Sequence, residues 1–389
     1  MSTPGSSYRG LQTSIFAGAF VFGIVMSSLG SLLPALFEVV GFEKVDAGRL
    51  FLLMNFGMLM GSLLFGPICD RFGFRALLAT SILFVGGSFA MLAMAREYNT
   101  ILGSLALLGL AGGALNGGTN ALLNDISPDR RASALNRLGI FFGCGALFTP
   151  FLIGSLLERA GLRLILVWLV ALTVAPFVLF IIAQFPPPKH QRGISRGAIG
   201  KILANPLLFL FGLLLFFQSG NEFTMGGWIS TYLGERLHFE PRNAAYVLAG
   251  YWGALMAGRW IVSRVAASFA AHILVSGSAL LALVAVVGLI LTGSPVGAAV
   301  LVACVGLGFA AIFPTTLAQA GTVFAEFSGT AFSVIFVVAL TGGMSAPWLV
   351  GRIAQNHGVG TGFWITVASC GAIVALQVLI RILARRNPA

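Results

Sequence analysis

The stretch "GPICDRFGFR", residues 66–75, gathers one acid, two arginines and two glycines in a chain whose charged side chains make up only 9% of the sequence. Apolar runs at 49–69 and 76–95 flank it closely. Each is about 20 residues, the length at which a helix crosses the hydrocarbon core of a bilayer. Asp70, Arg71 and Arg75 therefore fall on a short polar turn between two membrane helices.

The rest of the chain repeats that arrangement. Of its 389 residues 58% are hydrophobic, whereas a soluble domain carries about a quarter charged residues. The runs are long and lack the strict alternation of a barrel strand. A backbone in lipid must satisfy its own polar groups, so they read as helices. Twelve runs lie near 11–37, 49–69, 76–95, 99–124, 135–158, 163–185, 206–233, 244–264, 270–292, 296–320, 328–352 and 359–384. The longest polar interval, "PPPKHQRGISRGAIGKILANP", divides them six and six. The expectation is an all-α membrane protein of twelve transmembrane helices. An N-terminal six-helix bundle would span 1–185, a cytoplasmic linker 186–205 and a C-terminal six-helix bundle 206–389.

The net charge of +11 raises the question of a nucleic-acid partner. The cations lie in short loops between apolar runs, so the expected partner is the lipid bilayer and no nucleic acid. Placing both termini in the cytoplasm puts 15 of the 23 Lys and Arg on the inner side and 8 outside, with Arg259 and Arg264 assigned to an inner loop. Such a bias favours cytoplasmic termini and an inner-membrane location. The four cysteines and four histidines show no metal or redox spacing, so no metal or cofactor is expected.

The halves resemble each other. "LGLAGGALNGGTN" (108–120) matches "VGLGFAAIFPTTL" (305–317) at an offset of 197. Gly145, Pro150 and Gly154 fall on Gly342, Pro347 and Gly351 at the same offset, as do Gly23 and Gly30 on Gly220 and Gly227. "FGMLMG" (56–61) matches "WGALMAG" (252–258) at 196. A repeat with an even number of spans gives two copies of the same topology. That pattern, and the match of residues 66–75 to G-x-x-x-D-R-x-G-x-R, resembles the major facilitator superfamily. The motif covers Gly66, Asp70, Arg71, Gly73 and Arg75, on the loop between the second and third runs where the family carries it.

The resemblance implies a secondary transporter with the major facilitator fold, its solute bound near mid-membrane between the six-helix halves. It also implies a gate at the motif, with Gly66 allowing close helix packing, Asp70 facing a helix end and Arg71 pairing with an acid such as Asp125. The plainer alternative is a topology anchor of basic residues on a tight turn.

Polar side chains inside the runs are the candidate solute contacts. A carboxylate at mid-bilayer costs about 2.5–3.5 kcal/mol on insertion scales, so it marks a site or meets a partner. Glu222 lies in "FFQSGNEFTMGGWISTYL" (216–233). At 100° per residue Gln218, Asn221, Glu222 and Met225 share an arc of about 100°. The glycine pair at 226–227 is expected to weaken this helix, and Trp228 follows it. Asn116 and Asn120 form a polar stripe in the fourth run, with donors and acceptors like those of a sugar hydroxyl. Asn55, Trp252 and Gln319 complete the candidate set. For each the alternative is a packed or hydrogen-bonded core residue.

Two of these stretches also resemble the fucose–galactose–glucose porter branch of the superfamily. "GNEFTMGGWISTYL" matches at Gly220, Glu222, Gly226, Tyr232 and Leu233. "GALNGGTNALL" keeps Asn120, but Asn116 stands where an acid is usual, and Gly30 replaces the aspartate of proton-coupled members. The branch implies a hexose-like substrate. Glu222 is then the candidate coupling residue, with sodium or a proton as the candidate ion. The expectation is a monomeric monosaccharide transporter working by alternating access, with a multidrug or metabolite exporter of the same fold as the alternative. An enzyme is not expected, because no nucleophile–base set, metal set or phosphate loop is visible.

Overall fold

The computed structural model describes residues 9–127, 131–186, 205–265, 268–324 and 328–386. All regular structure among them is helical: α1 (Arg9–Val40), α2 (Lys44–Met94), α3 (Tyr98–Ile126), α4 (Arg131–Ile182), α5 (Pro206–Leu237), α6 (Pro241–Val265), α7 (Ala271–Leu291), α8 (Pro295–Phe309), α9 (Ile312–Val323), α10 (Ser328–His357), α11 (Val359–Gly362) and α12 (Trp364–Arg386). Apart from its two end residues, the expected linker at 186–205 lies outside the described residues.

Nine helical stretches among the described residues are long and apolar enough to cross a membrane. Two of them cross twice. α2 has 51 residues and α4 has 52, about 76 Å of helix each, more than double the hydrocarbon core. Each turns back at a glycine with positive φ, Gly73 at 79° and Gly161 at 72°. An L side chain resists that backbone, and glycine adopts it freely. α6 is the polar exception, because it carries Arg242, Arg259 and Arg264. With it the crossings number twelve, as the apolar runs predict.

The tenth run differs from its expected form. It is broken into α8 and α9 at Ala310 and Ala311, four and three residues before Pro314. A proline removes the bond to the carbonyl four residues back and crowds it, so the break sits where Pro314 demands it. The expected weak point at Gly226–Gly227 is not one. α5 runs unbroken through both glycines. Tertiary packing at Gly226 offsets the low propensity of the pair: a Cβ there would come 3.0 Å from the Trp252 ring.

The chain divides into two compact units. One comprises Met1–Glu43, Arg49–Gln191 and Pro241–Ala249, the other Lys44–Gly48, Arg192–Glu240 and Gly250–Ala389. Inside each, the repeat reappears as equivalent contacts. In the first unit α1 crosses α4 so closely that a Cβ on Gly145 would overlap the Phe20 carbonyl. In the second, α5 crosses α10 so that a Cβ on Gly342 would overlap the Phe216 carbonyl. Small residues let membrane helices approach backbone to backbone. Gly109 meets the Met54 carbonyl as Gly306 meets that of Tyr251. Both partners are again 197 apart, so this contact corrects the sequence register of 196 for the second and eighth runs.

Candidate functional site

The polar groups of the second unit converge on the middle of α5. Gln218 Nε2 donates to Glu222 Oε1 at 2.8 Å, one turn along the same helix, and to the Phe309 carbonyl at 3.3 Å. Phe309 is the last residue of α8, so the Pro314 break lies beside the cluster. On its other oxygen Glu222 meets a cation, Arg259 Nη2, at 3.6 Å. Asn221 turns to α12 and donates to Cys370 Sγ at 3.5 Å.

Arg259 is a correction to the sequence reading. It is not a cytoplasmic loop cation but a helical residue of α6, two turns before its end. Its side chain is 29% exposed and that of Glu222 15%. A guanidinium drawn into an apolar bundle needs a counter-charge, and Glu222 supplies one. The apolar run "GYWGALMAG" just before it was the available signal, since it leaves Arg259 only one residue beyond an uncharged helix.

α6 brings further polar tips to the same neighbourhood. Tyr251 lies within electrostatic reach of both Glu222 and Arg259. Its ring meets Trp252 edge-on at 5.3 Å. Tyr251 Oη, Trp252 Nε1, Arg259 Nε and Gln218 Oε1 are buried with no hydrogen-bond partner among the described residues. Trp252 is thus packed against α5 at Gly226.

The other candidates separate. Gln319 accepts from Gln377 Nε2 at 3.0 Å, in a second polar pair between α9 and α12. The Trp228 ring is wholly buried and its indole N–H donates to the Pro347 carbonyl at 3.0 Å, which ties α5 to α10. In the first unit Asn120 Nδ2 donates to Asn116 Oδ1 at 2.9 Å, so the two amides form one half-buried group. Asn55 is buried and donates to its own helix at Phe51 O, leaving Oδ1 without a partner among the described residues.

The motif at 66–75 is held within the first unit. Arg75 Nη2 donates to the Ala183 carbonyl just past α4 at 2.8 Å, and its guanidinium lies 5.6 Å from the Phe185 ring. Carbonyls at a helix end lack helical partners, and a guanidinium meets that need. Two expectations are corrected. A Cβ on Gly66 would meet nothing within 4 Å, so this glycine does not serve close packing. Arg71 is exposed and stacks over the adjacent Phe72 ring at 5.1 Å instead of meeting Asp125. Asp70 and Asp125 both lie near enough to act on the Cys69 thiol. No three His, Cys, Asp or Glu among the described residues gather as a metal site.

The family model described as Major Facilitator Superfamily matches residues 15–347. The chain belongs to the Major Facilitator Superfamily. It is therefore a membrane transporter and not an enzyme. Its fold is similar to that of a point mutant of the nucleoside transporter NupG, with a TM-score of 0.79 at 13% identity, covering 96% of this chain and 99% of that one. It is 26% identical to the membrane protein MosC of Rhizobium meliloti over 94% of this chain and 89% of MosC. Over 120 residues, 31% of this chain and 27% of the relative, it is 31% identical to the 4-hydroxybenzoate transporter PcaK of Pseudomonas putida. The superfamily resemblance thus holds, while the narrower likeness to the hexose porters finds no support in these relatives.

Proposed function

We propose that the chain is a secondary active transporter of a small hydroxylated organic solute, with a monosaccharide as the first case to test. It works by alternating access in the cytoplasmic membrane, as a monomer with both termini cytoplasmic. The observation that carries this reading is the cluster of Gln218, Glu222 and Arg259. Charged and amide groups are costly in a bundle and are kept there for a solute or an ion. The amides of Gln218, Asn221, Asn116 and Asn120 offer both donors and acceptors, as hydroxyl recognition requires. The excess of cytoplasmic cations supports the orientation. Arg259 bears on the coupling ion at Glu222. A guanidinium at 3.6 Å repels sodium, which weighs against a sodium site at this carboxylate.

The test is uptake by proteoliposomes holding the full chain, with labelled hexoses and imposed sodium or proton gradients. Saturable, gradient-driven accumulation of at least one hydroxylated solute is expected. Export of lipophilic cations with no such accumulation would overturn the reading in favour of a drug exporter.

A further inference from the structure

Arg259 and Glu222 form a loose pair in a place where tight ones are usual. A charge-assisted N–H···O bond spans about 2.7–2.9 Å. Arg259 Nη2 stands 3.6 Å from Glu222 Oε2, while the neutral amide of Gln218 holds the other oxygen at 2.8 Å. The guanidinium thus neutralises Glu222 without spending its fork of donors on it. Its Nε–H is buried with no partner among the described residues.

Two more donors share this condition. Tyr251 Oη and Trp252 Nε1 are buried and unmatched among the described residues, with their residues 0% and 3% exposed. At 100° per residue, Tyr251, Trp252 and Arg259 fall within about 100° of one face of α6. That face meets α5, because the Trp252 ring packs at Gly226 and Arg259 reaches Glu222. A buried donor left without an acceptor costs about 1–3 kcal/mol. Three such donors on one helical face, one of them cationic, describe a site short of an acceptor with negative charge. Gln218 Oε1 is a lone unmatched acceptor beside them, and it is neutral.

We propose that this face of α6 binds the carboxylate group of the transported solute, with Arg259 as its anchor and Tyr251 and Trp252 as neutral donors. The proposal rests on the transporter reading above and narrows its substrate to an organic carboxylate, such as a sugar acid in place of a neutral sugar. Before the solute binds, Glu222 is the stand-in anion. When the solute's carboxylate arrives, the guanidinium turns its fork to it. Planar bidentate geometry suits a carboxylate, which is why an arginine and not a lysine belongs here. Glu222 then keeps its bond from Gln218.

The experiment measures binding to the purified full chain by calorimetry, separately from uptake in proteoliposomes. Two probe pairs differ in the carboxylate: glucuronate against glucose, and benzoate against benzyl alcohol. Within at least one pair the acid is expected to bind more tightly. Arg259→Gln should weaken that acid by roughly tenfold or more, because it removes the buried charge partner. Its neutral analogue should change little. Arg259→Lys should fall between, and Glu222→Gln, which removes the competing anion, should tighten binding of the acid. The double variant E222Q/R259Q carries no lone buried charge, so loss of acid binding in a folded double variant reports recognition and not collapse. Equal binding of acid and neutral probe in both pairs would overturn the carboxylate assignment, as would acid binding that survives in R259Q. Acid binding without uptake of any solute would instead overturn the transporter reading of the site.

Discussion

Arg259 on α6 stands 3.6 Å from Glu222 on α5, and the two carry opposite charges within the bundle. Neither has a counterpart in the first unit, since the repeat sets Glu222 on Val25 and Arg259 on Ser62. The asymmetry between the halves is thus an ion pair and not a solitary acid.

Removing one partner should hurt more than removing both. A fully buried pair broken on one side costs about 3–5 kcal/mol, and partial exposure of both side chains lowers the expectation to about 2 kcal/mol. Glu222→Gln and Arg259→Gln should each lower the melting temperature of the protein in detergent. The double variant should recover most of that loss. A double variant less stable than either single would show that the two groups are not coupled.

The glycine crossings predict equal sensitivity in the two halves. A Cβ at Gly145 or Gly342 would overlap a facing backbone carbonyl, which cannot move as a side-chain end can. Gly145→Ala and Gly342→Ala should each cost about 1–3 kcal/mol or more. Gly139→Ala is the control, because a Cβ there meets nothing within 4 Å. Thermal denaturation and monodispersity should rank the first two together, well below the control.

The turn in α2 gives a second graded pair. Gly73 has φ at 79°, and an L residue there costs about 1–2 kcal/mol. Gly66 lies in the same motif with helical backbone and open space around its Cα. Gly73→Ala should reduce stability measurably, and Gly66→Ala should not. Equal losses would reveal a packing role for Gly66 that the geometry does not contain.

Pro314 should matter to transport more than to folding. Replacing a helix-interior proline with alanine relieves up to about 3 kcal/mol of helical penalty. Pro314→Ala should therefore hold or raise the melting temperature. By closing the gap between α8 and α9 it should also shift the Phe309 carbonyl from Gln218 and reduce initial uptake by roughly tenfold, the loss expected when a positioned polar contact is misplaced. Undiminished uptake would show that the break is not needed at the site.

Much of this architecture was legible because bilayer length and helix period leave few choices. The twelve crossings, the turn at residues 66–75 and the paired glycines follow from apolar runs and a shared offset. The Arg259 position was misread for a physical reason. A cation near the end of an apolar run is normally an interfacial anchor, and only tertiary packing shows that its long stem turns inward to Glu222. The helix break was misread in the same way. Gly226–Gly227 was read as the weak point, yet Gly226 packs against Trp252 and α5 stays continuous, whereas no packing restores the missing N–H of Pro314.

The continuity of α5 has an evolutionary corollary. A helix unbroken from Pro206 to Leu237 keeps its backbone polar groups engaged with one another, so what it shows a solute is written in side chains alone. Substitutions at 218, 221 and 222 can then change what is recognised without redrawing the scaffold. Such a segment lets one carrier diverge toward new cargo by single residue steps.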